Sequence, residues 1–182
     1  MKKILILLLL PLTITLGCKN NYITPSNTVS NYLSKYQNLD KKLLKELDLI
    51  ISNDKEMNNT QKKEYKKLME KQYQNLSYKI ESEEIDNDTA IVNTEIEVLD
   101  YESTIKKSKK YFIENREEFT NEHVDDKKID KLDSFINYKL KQLKNTEEKT
   151  KYKMTFHLIK RKNMWMIENL TEEDYKKIHG LY

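Results

Sequence analysis

Only two glycines, Gly17 and Gly180, and two prolines, Pro11 and Pro25, occur in the whole chain. Between Ser26 and His179 no residue forces the backbone out of a regular element, so the sequence predicts long helices and strands joined by short polar turns. The same scarcity removes whole classes of function. A Walker loop or a dinucleotide fingerprint needs several glycines where the backbone turns tightly against phosphate, and Gly180 alone supplies none of that.

The N-terminal stretch does not belong to the fold. Lys2 and Lys3 precede an uncharged apolar run from Ile4 to Leu16, and Gly17 places a small residue before Cys18, which is the pattern of a processed signal peptide. The run is shorter than the roughly 18 residues that span a hydrocarbon core, and Pro11 interrupts it, so a permanent transmembrane helix is not expected. Thr15-Leu16-Gly17-Cys18 resembles the lipobox of bacterial lipoproteins. That resemblance implies cleavage between Gly17 and Cys18 and a diacylglyceryl thioether on the Cys18 thiol, with fatty acyl chains such as palmitate. Cys18 is the only cysteine, so it has no partner within the chain for a disulfide. Each acyl methylene buried contributes about 0.8 kcal/mol, and two or three chains together anchor durably. The expected organisation is a signal peptide over 1–17, a lipidated cysteine and short tether over 18–25, and one domain over 26–182. The expected location is a bacterial cell membrane or outer membrane, with the domain outside the cytoplasm.

Charge narrows the partners. Without Lys2 and Lys3 the 33 basic residues fall to 31 against 30 acidic ones, a net charge of +1. Both signs are finely interspersed, and Arg116 and Arg161 are the only arginines, so nucleic acid is not an expected partner. His123, His157 and His179 stand in separate elements without metal-type spacing and without a cysteine partner, so neither a metal nor another cofactor is expected.

Periodicity then orders the domain. Thr24-Pro25 starts a helix whose Val29, Tyr32, Leu33, Tyr36, Leu43, Leu47 and Ile50 share one face, widened by Leu44 and Ile51, to about Ser52, with a bend or break at Asn38 to Asp40. Thr60 is the predicted cap of a second helix, on which Tyr65, Leu68, Met69, Gln72, Tyr73 and Leu76 repeat on one side. The period changes to two at Tyr78 and Ile80. Asn87-Asp88 turns the chain into a long strand in which Ala90, Val92, Thr94, Ile96 and Val98 face one way. Ser103 to Thr120 and Ile129 to about Asn145 read as a helical pair around a polar loop. Two further strands follow, with Tyr152, Met154, Phe156 and Leu158 inward on one and Trp165 and Ile167 sharing a side on the other. Thr171 and Asp174 open a final short helix.

Seven residues are candidates for a pocket: Tyr32, Tyr36, Tyr73, Tyr78, Asp100, Tyr152 and Trp165. The tyrosines fit a core equally well as a pocket wall. Asp100 continues the apolar phase of its strand, and a carboxylate in an apolar pocket can work as a general acid or base. At a strand end the same residue would cap the next helix. The cluster Lys106, Lys107, Lys109 and Lys110 suits an anionic lipid surface or a solvated helix face laced by pairs such as Lys110 with Glu114.

The element order defines an α+β fold: a curved antiparallel sheet packed on N-terminal helices, with a helical pair inserted between two hairpins. The helix from Pro25, the Asp88-Thr89-Ala90-Ile91-Val92 strand entry and Trp165-Met166-Ile167 together resemble the cone-shaped superfamily named after nuclear transport factor two, in its lipoprotein branch. The resemblance implies an open-ended cavity used for small-molecule binding, isomerase or dehydratase chemistry, or association. The leading expectation is a noncatalytic module that binds a small apolar ligand or an envelope protein partner. The alternatives are an enzyme using Asp100 with Tyr101, Tyr78 or Tyr152, and a surface antigen or adhesin without a ligand.

Overall fold

The computed structural model describes residues 23–119 and 131–182, together with the strands His123–Val124 and Lys127–Lys128. Helix α1, Pro25–Gln37, starts as the sequence predicts, with the Thr24 hydroxyl accepting a hydrogen bond from the Asn27 N–H at 3.1 Å and proline in the first turn. The helix does break at Asn38 to Asp40. Leu39 takes φ +51°, and the Asp40 carboxylate caps a separate α2, Lys41–Asn53, by accepting from Lys42 and Leu43. The break resets the helical phase. Leu47 and Ile51 are the buried residues of α2, both within the expected stripe, whereas Ile50, also expected on the apolar face, is 65% exposed.

Helix α3, Asn59–Asn75, is capped two residues earlier than predicted. Asn58, not Thr60, accepts from Thr60 and Gln61, and Gln61 returns a bond to the Asn58 N–H. Strands β1, Ser77–Asp86, and β2, Thr89–Leu99, form a hairpin around Asn87 at φ +52°, with a register shift between Ile80 and Ser82. Helix α4, Tyr101–Glu114, begins two residues before the predicted start and ends earlier than predicted, leaving Phe119 buried in the turns that follow. The expected polar loop contains a small hairpin of β3, His123–Val124, and β4, Lys127–Lys128. Helix α5, Lys131–Lys144, leads to β5, Lys149–Arg161, and β6, Met164–Ile167, joined through Lys162 and Asn163, both at positive φ. Thr171 and Asp174 form the predicted capping box of α6, Glu172–Ile178.

The four long strands form an antiparallel sheet in the order β1-β2-β5-β6, so the molecule is α+β and the helical pair α4 and α5 lies in sequence between two paired hairpins. Strand alternation gives the sheet two different faces. Val92, Ile96 and Val98 of β2 and Met154, Phe156 and Leu158 of β5 are buried together with Val29 and Leu33 of α1 and Leu68 and Met69 of α3. The outer face is polar. It carries a ladder of ion pairs, Lys151 to Glu95 at 2.8 Å, Lys149 to Glu97 at 3.3 Å and Lys153 to Glu81 at 3.8 Å, each exposed and worth at most about 1 kcal/mol. Among the described residues, all six helices and the main sheet add side chains to a single core, apart from an aromatic cluster between α4 and α5. There Phe112 and Phe135 lie 4.5 Å apart and Tyr111 stacks on Tyr138 at 5.1 Å.

Candidate functional site: an open groove between α1 and β6

The seven candidate residues do not converge on one pocket. Tyr36 and Tyr73 are buried in the core, 5% and 2% exposed, and pack edge to face at 5.1 Å. The Tyr73 hydroxyl shares a hydrogen bond of 3.1 Å with Nε2 of half-buried His179. Tyr78 turns its hydroxyl to the Ser30 carbonyl and the Ser34 hydroxyl, both at 3.3 Å, and so fixes β1 to α1. Tyr152 donates to the Tyr182 carbonyl at 2.8 Å, tying the C-terminus to the sheet.

Asp100 takes the capping role. Its carboxylate accepts from the Ser103 N–H at 2.9 Å, its own N–H donates to Glu148 and its carbonyl accepts from Thr104. The alternation that pointed Asp100 inward ends at Leu99, where β2 gives way to α4. The half-buried carboxylate therefore orders the start of a helix, which is the role that places Asp100 and Tyr101 in sequence. Tyr101 is fully buried with its hydroxyl on the Leu68 carbonyl at 3.0 Å. Burial pushes the hydroxyls of Tyr32, Tyr36, Tyr73 and Tyr101 well above the ordinary tyrosine value, so these groups keep their protons at neutral pH.

Tyr32 and Trp165 are the two candidates that the fold brings together. They line an open groove of about 650 Å³ between α1 and the segment running from β6 into α6. One wall is the α1 surface at Thr28, Asn31, Tyr32 and Lys35. The other is the edge strand β6 with Glu168 to Leu170 and Tyr175. Ile23 and Lys42 complete the lining. Four apolar residues of this lining are substantially exposed: Ile23 50%, Met164 54%, Met166 46% and Tyr175 43%. Large apolar side chains gathered on one concave surface mark a binding face more often than the same residues scattered singly.

Pairing explains why the groove forms here. β6 is four residues long and hydrogen-bonded on one side by β5, with Lys160 opposite Trp165 and Ile159 opposite Met166. Trp165 and Ile167 take the inward phase and Met164 and Met166 the outward one, and the edge position lets both sets contribute to the groove. Lys160 Nζ sits 5.7 Å from the Trp165 ring centroid, a cation–π contact at the rim. Met164, Met166 and Tyr175 were not singled out from sequence. The available signal was two methionines on the polar phase of a strand, directly after Arg161 and Lys162.

Gly17 and Cys18 lie outside the described residues. Among the described residues no helix is long and apolar enough to cross a membrane, and no group of three or more His, Cys, Asp and Glu side chains is placed to hold a metal ion. No protein-family model, curated protein or solved structure matches the chain.

Proposed function

We infer that the chain is a bacterial envelope lipoprotein, anchored through acyl chains on Cys18, whose single domain is a noncatalytic binding module for apolar groups presented at the membrane. The anchor reading rests on the Lys2-Lys3 start, the apolar run to Leu16 and the Thr15-Leu16-Gly17-Cys18 sequence. The element order, with N-terminal helices before a hairpin, a helical pair and a second hairpin on one antiparallel sheet, supports assigning the domain to the cone-shaped superfamily of nuclear transport factor two.

The observation that carries the binding role is the cluster of exposed apolar side chains in the α1–β6 groove. The carboxylate that the sequence offers for acid–base chemistry is engaged in capping α4. A groove open along its length favours acyl or aromatic groups that enter from the surface over a small molecule enclosed on all sides.

Two measurements test this proposal separately. Cys18→Ala should move the protein from the membrane fraction to the soluble or unprocessed one, and membrane retention with a processed N-terminus would contradict lipidation. Trp165 is the only tryptophan and lines the groove, so its emission should change saturably on titration with a dansylated fatty acid. A flat titration would remove the binding role.

A further inference from the structure

Where the described chain begins and where its apolar groove lies coincide. Ile23 is in the groove lining, and Cys18 is five residues before it. Five residues span at most about 18 Å when fully extended. Acyl chains on Cys18 would therefore keep the mouth of this groove within that distance of the bilayer surface. At such a range even weak intrinsic affinity is enough, because the tether makes the second contact intramolecular.

The side chains at the mouth suit that surface. Tyr32, Trp165 and Tyr175 are amphipathic rings of the kind that settle at the headgroup level, and Met164 and Met166 are flexible apolar groups beside them. Lys35 and Lys42 stand in the lining, Lys160 lies over the Trp165 ring, and Arg161 and Lys162 are exposed in the adjoining β5–β6 turn. The lining holds one carboxylate, Glu168. None of the five cations forms an ion pair with another described residue. Three of the four lysines in the basic stretch of α4 differ on this point: Lys106 pairs with Glu102 at 3.2 Å, Lys107 with Glu148 at 3.1 Å and Lys110 with Glu114 at 3.9 Å. Those three lysines belong to a solvated helix face, whereas the cations at the rim of the groove stand beside exposed apolar side chains without such partners among the described residues.

The geometry points to the groove as a bilayer-docking surface, seating Trp165, Tyr175, Met164 and Met166 in the headgroup region with Lys160, Arg161 and Lys162 on the phosphates of anionic lipid. This deepens the proposed function and rests on its anchored placement. Docking by this face fixes the orientation of the domain.

The test uses the sole tryptophan and the sole cysteine. The native lipidated protein is reconstituted in phosphatidylcholine vesicles containing about a third phosphatidylglycerol, with a shallow doxyl-lipid quencher. In parallel, the chain from Cys18 onward, which carries every described element of the core, is coupled through its thiol to a maleimide lipid in the same vesicles. The second arm supplies the tether chemically, so docking is read whether or not cells acylate Cys18, and loss of anchoring in the first arm alone counts against the proposed function only. The expected result in the coupled arm is quenched, blue-shifted Trp165 emission that weakens in purely zwitterionic vesicles. Replacing Lys160→Glu and Lys162→Glu should reduce the docked-to-undocked ratio at least about five-fold per position, the factor that one cation contributes near an anionic surface. Met164→Asp with Met166→Asp, at exposed positions, should abolish quenching while helix content by circular dichroism is unchanged. Unquenched Trp165 on tethered protein overturns the proposal and leaves the groove to a protein partner. Quenching indifferent to both pairs of substitutions overturns it equally.

Discussion

The side-chain amide of Gln72 closes both hydrogen bonds of the Leu99 backbone: Nε2 donates to the Leu99 carbonyl at 2.9 Å, and Oε1 accepts from the Leu99 N–H at 3.0 Å. Gln72 is fully buried beside Leu68, Met69 and Tyr73 near the end of α3, and Leu99 is the last residue of β2. The pairing of β1 with β2 ends at Ser77 opposite Glu97, so Leu99 has no partner on that side, and this amide stands in for the missing strand. Gln72→Leu preserves the volume but leaves a buried donor and acceptor unpaired. Each such group costs about 1–3 kcal/mol, so a loss of about 3 kcal/mol is expected in urea unfolding. A loss under about 1 kcal/mol would mean that water reaches Leu99.

Gly180 is the second member of the same junction. It follows α6 at φ +67°, with its N–H on the Lys177 carbonyl at 3.0 Å and the Leu181 N–H on the Lys176 carbonyl at 2.8 Å, which is a Schellman ending. A Cβ there would collide with Gln72 Nε2 and the Leu99 carbonyl, both of them parts of the bond just described. Gly180→Ala should therefore cost more than the roughly 1 kcal/mol of left-handed strain alone. Combined with Gln72→Leu, its effect should be clearly less than additive, because both substitutions remove one contact. Strict additivity in a double-mutant cycle would refute the shared contact.

These two residues show what a sequence of this kind reveals. Gln72 on the apolar side of its helix and a lone glycine near the end were both visible, and the alternation from Ala90 to Val98 set the buried face of β2 correctly. The turn at Asn87-Asp88 was legible because its chemistry is local. Ile50 was misplaced because the positive φ of Leu39 rotates α2 relative to α1, and no residue type announces that rotation. The groove was half legible. Tyr32 and Trp165 were named, but their meeting depends on β6 pairing with β5 at the sheet edge beside α1, a relation with no local signature.

Asp100 offers a test of capping against catalysis. Its carboxylate bonds the Ser103 N–H at 2.9 Å at the positive end of α4. Asp100→Ala should lower stability by about 1 kcal/mol, while Asp100→Ser, another good cap, should restore most of it. An acid–base residue would not be rescued by serine. Trp165 titrations with the dansylated fatty acid should be the same for all three proteins.

The pH dependence of stability has an acid edge set by His179. Burial against Tyr73 pulls its imidazole from the ordinary value of 6.5 down to about 4. The unfolded chain then binds a proton that the folded chain refuses between these values, so the stability from neutral His179 is complete above about pH 6.5 and is lost as pH falls toward 4. The full span corresponds to at most about 3 kcal/mol, reduced by the water that still reaches the half-buried ring. Replacing His179→Gln, which keeps a polar partner for the Tyr73 hydroxyl, should flatten this edge in urea titrations at pH 7 and pH 5. An unchanged slope would place the titrating group elsewhere.

The alkaline edge runs the other way. Burial raises the hydroxyls of Tyr32, Tyr36, Tyr73 and Tyr101 above 10.0, so the folded state holds protons that the unfolded state releases. Their stabilising contribution is complete below about pH 10 and falls as pH rises beyond it. Absorbance at the phenolate band should accordingly show these four hydroxyls ionising only well above pH 10. The buried four should then appear together, in a single step coincident with loss of far-ultraviolet ellipticity. Gradual ionisation of these four while the helices persist would show that the Tyr32–Tyr36–Tyr73 stack is open to solvent, and with it the inner wall of the groove.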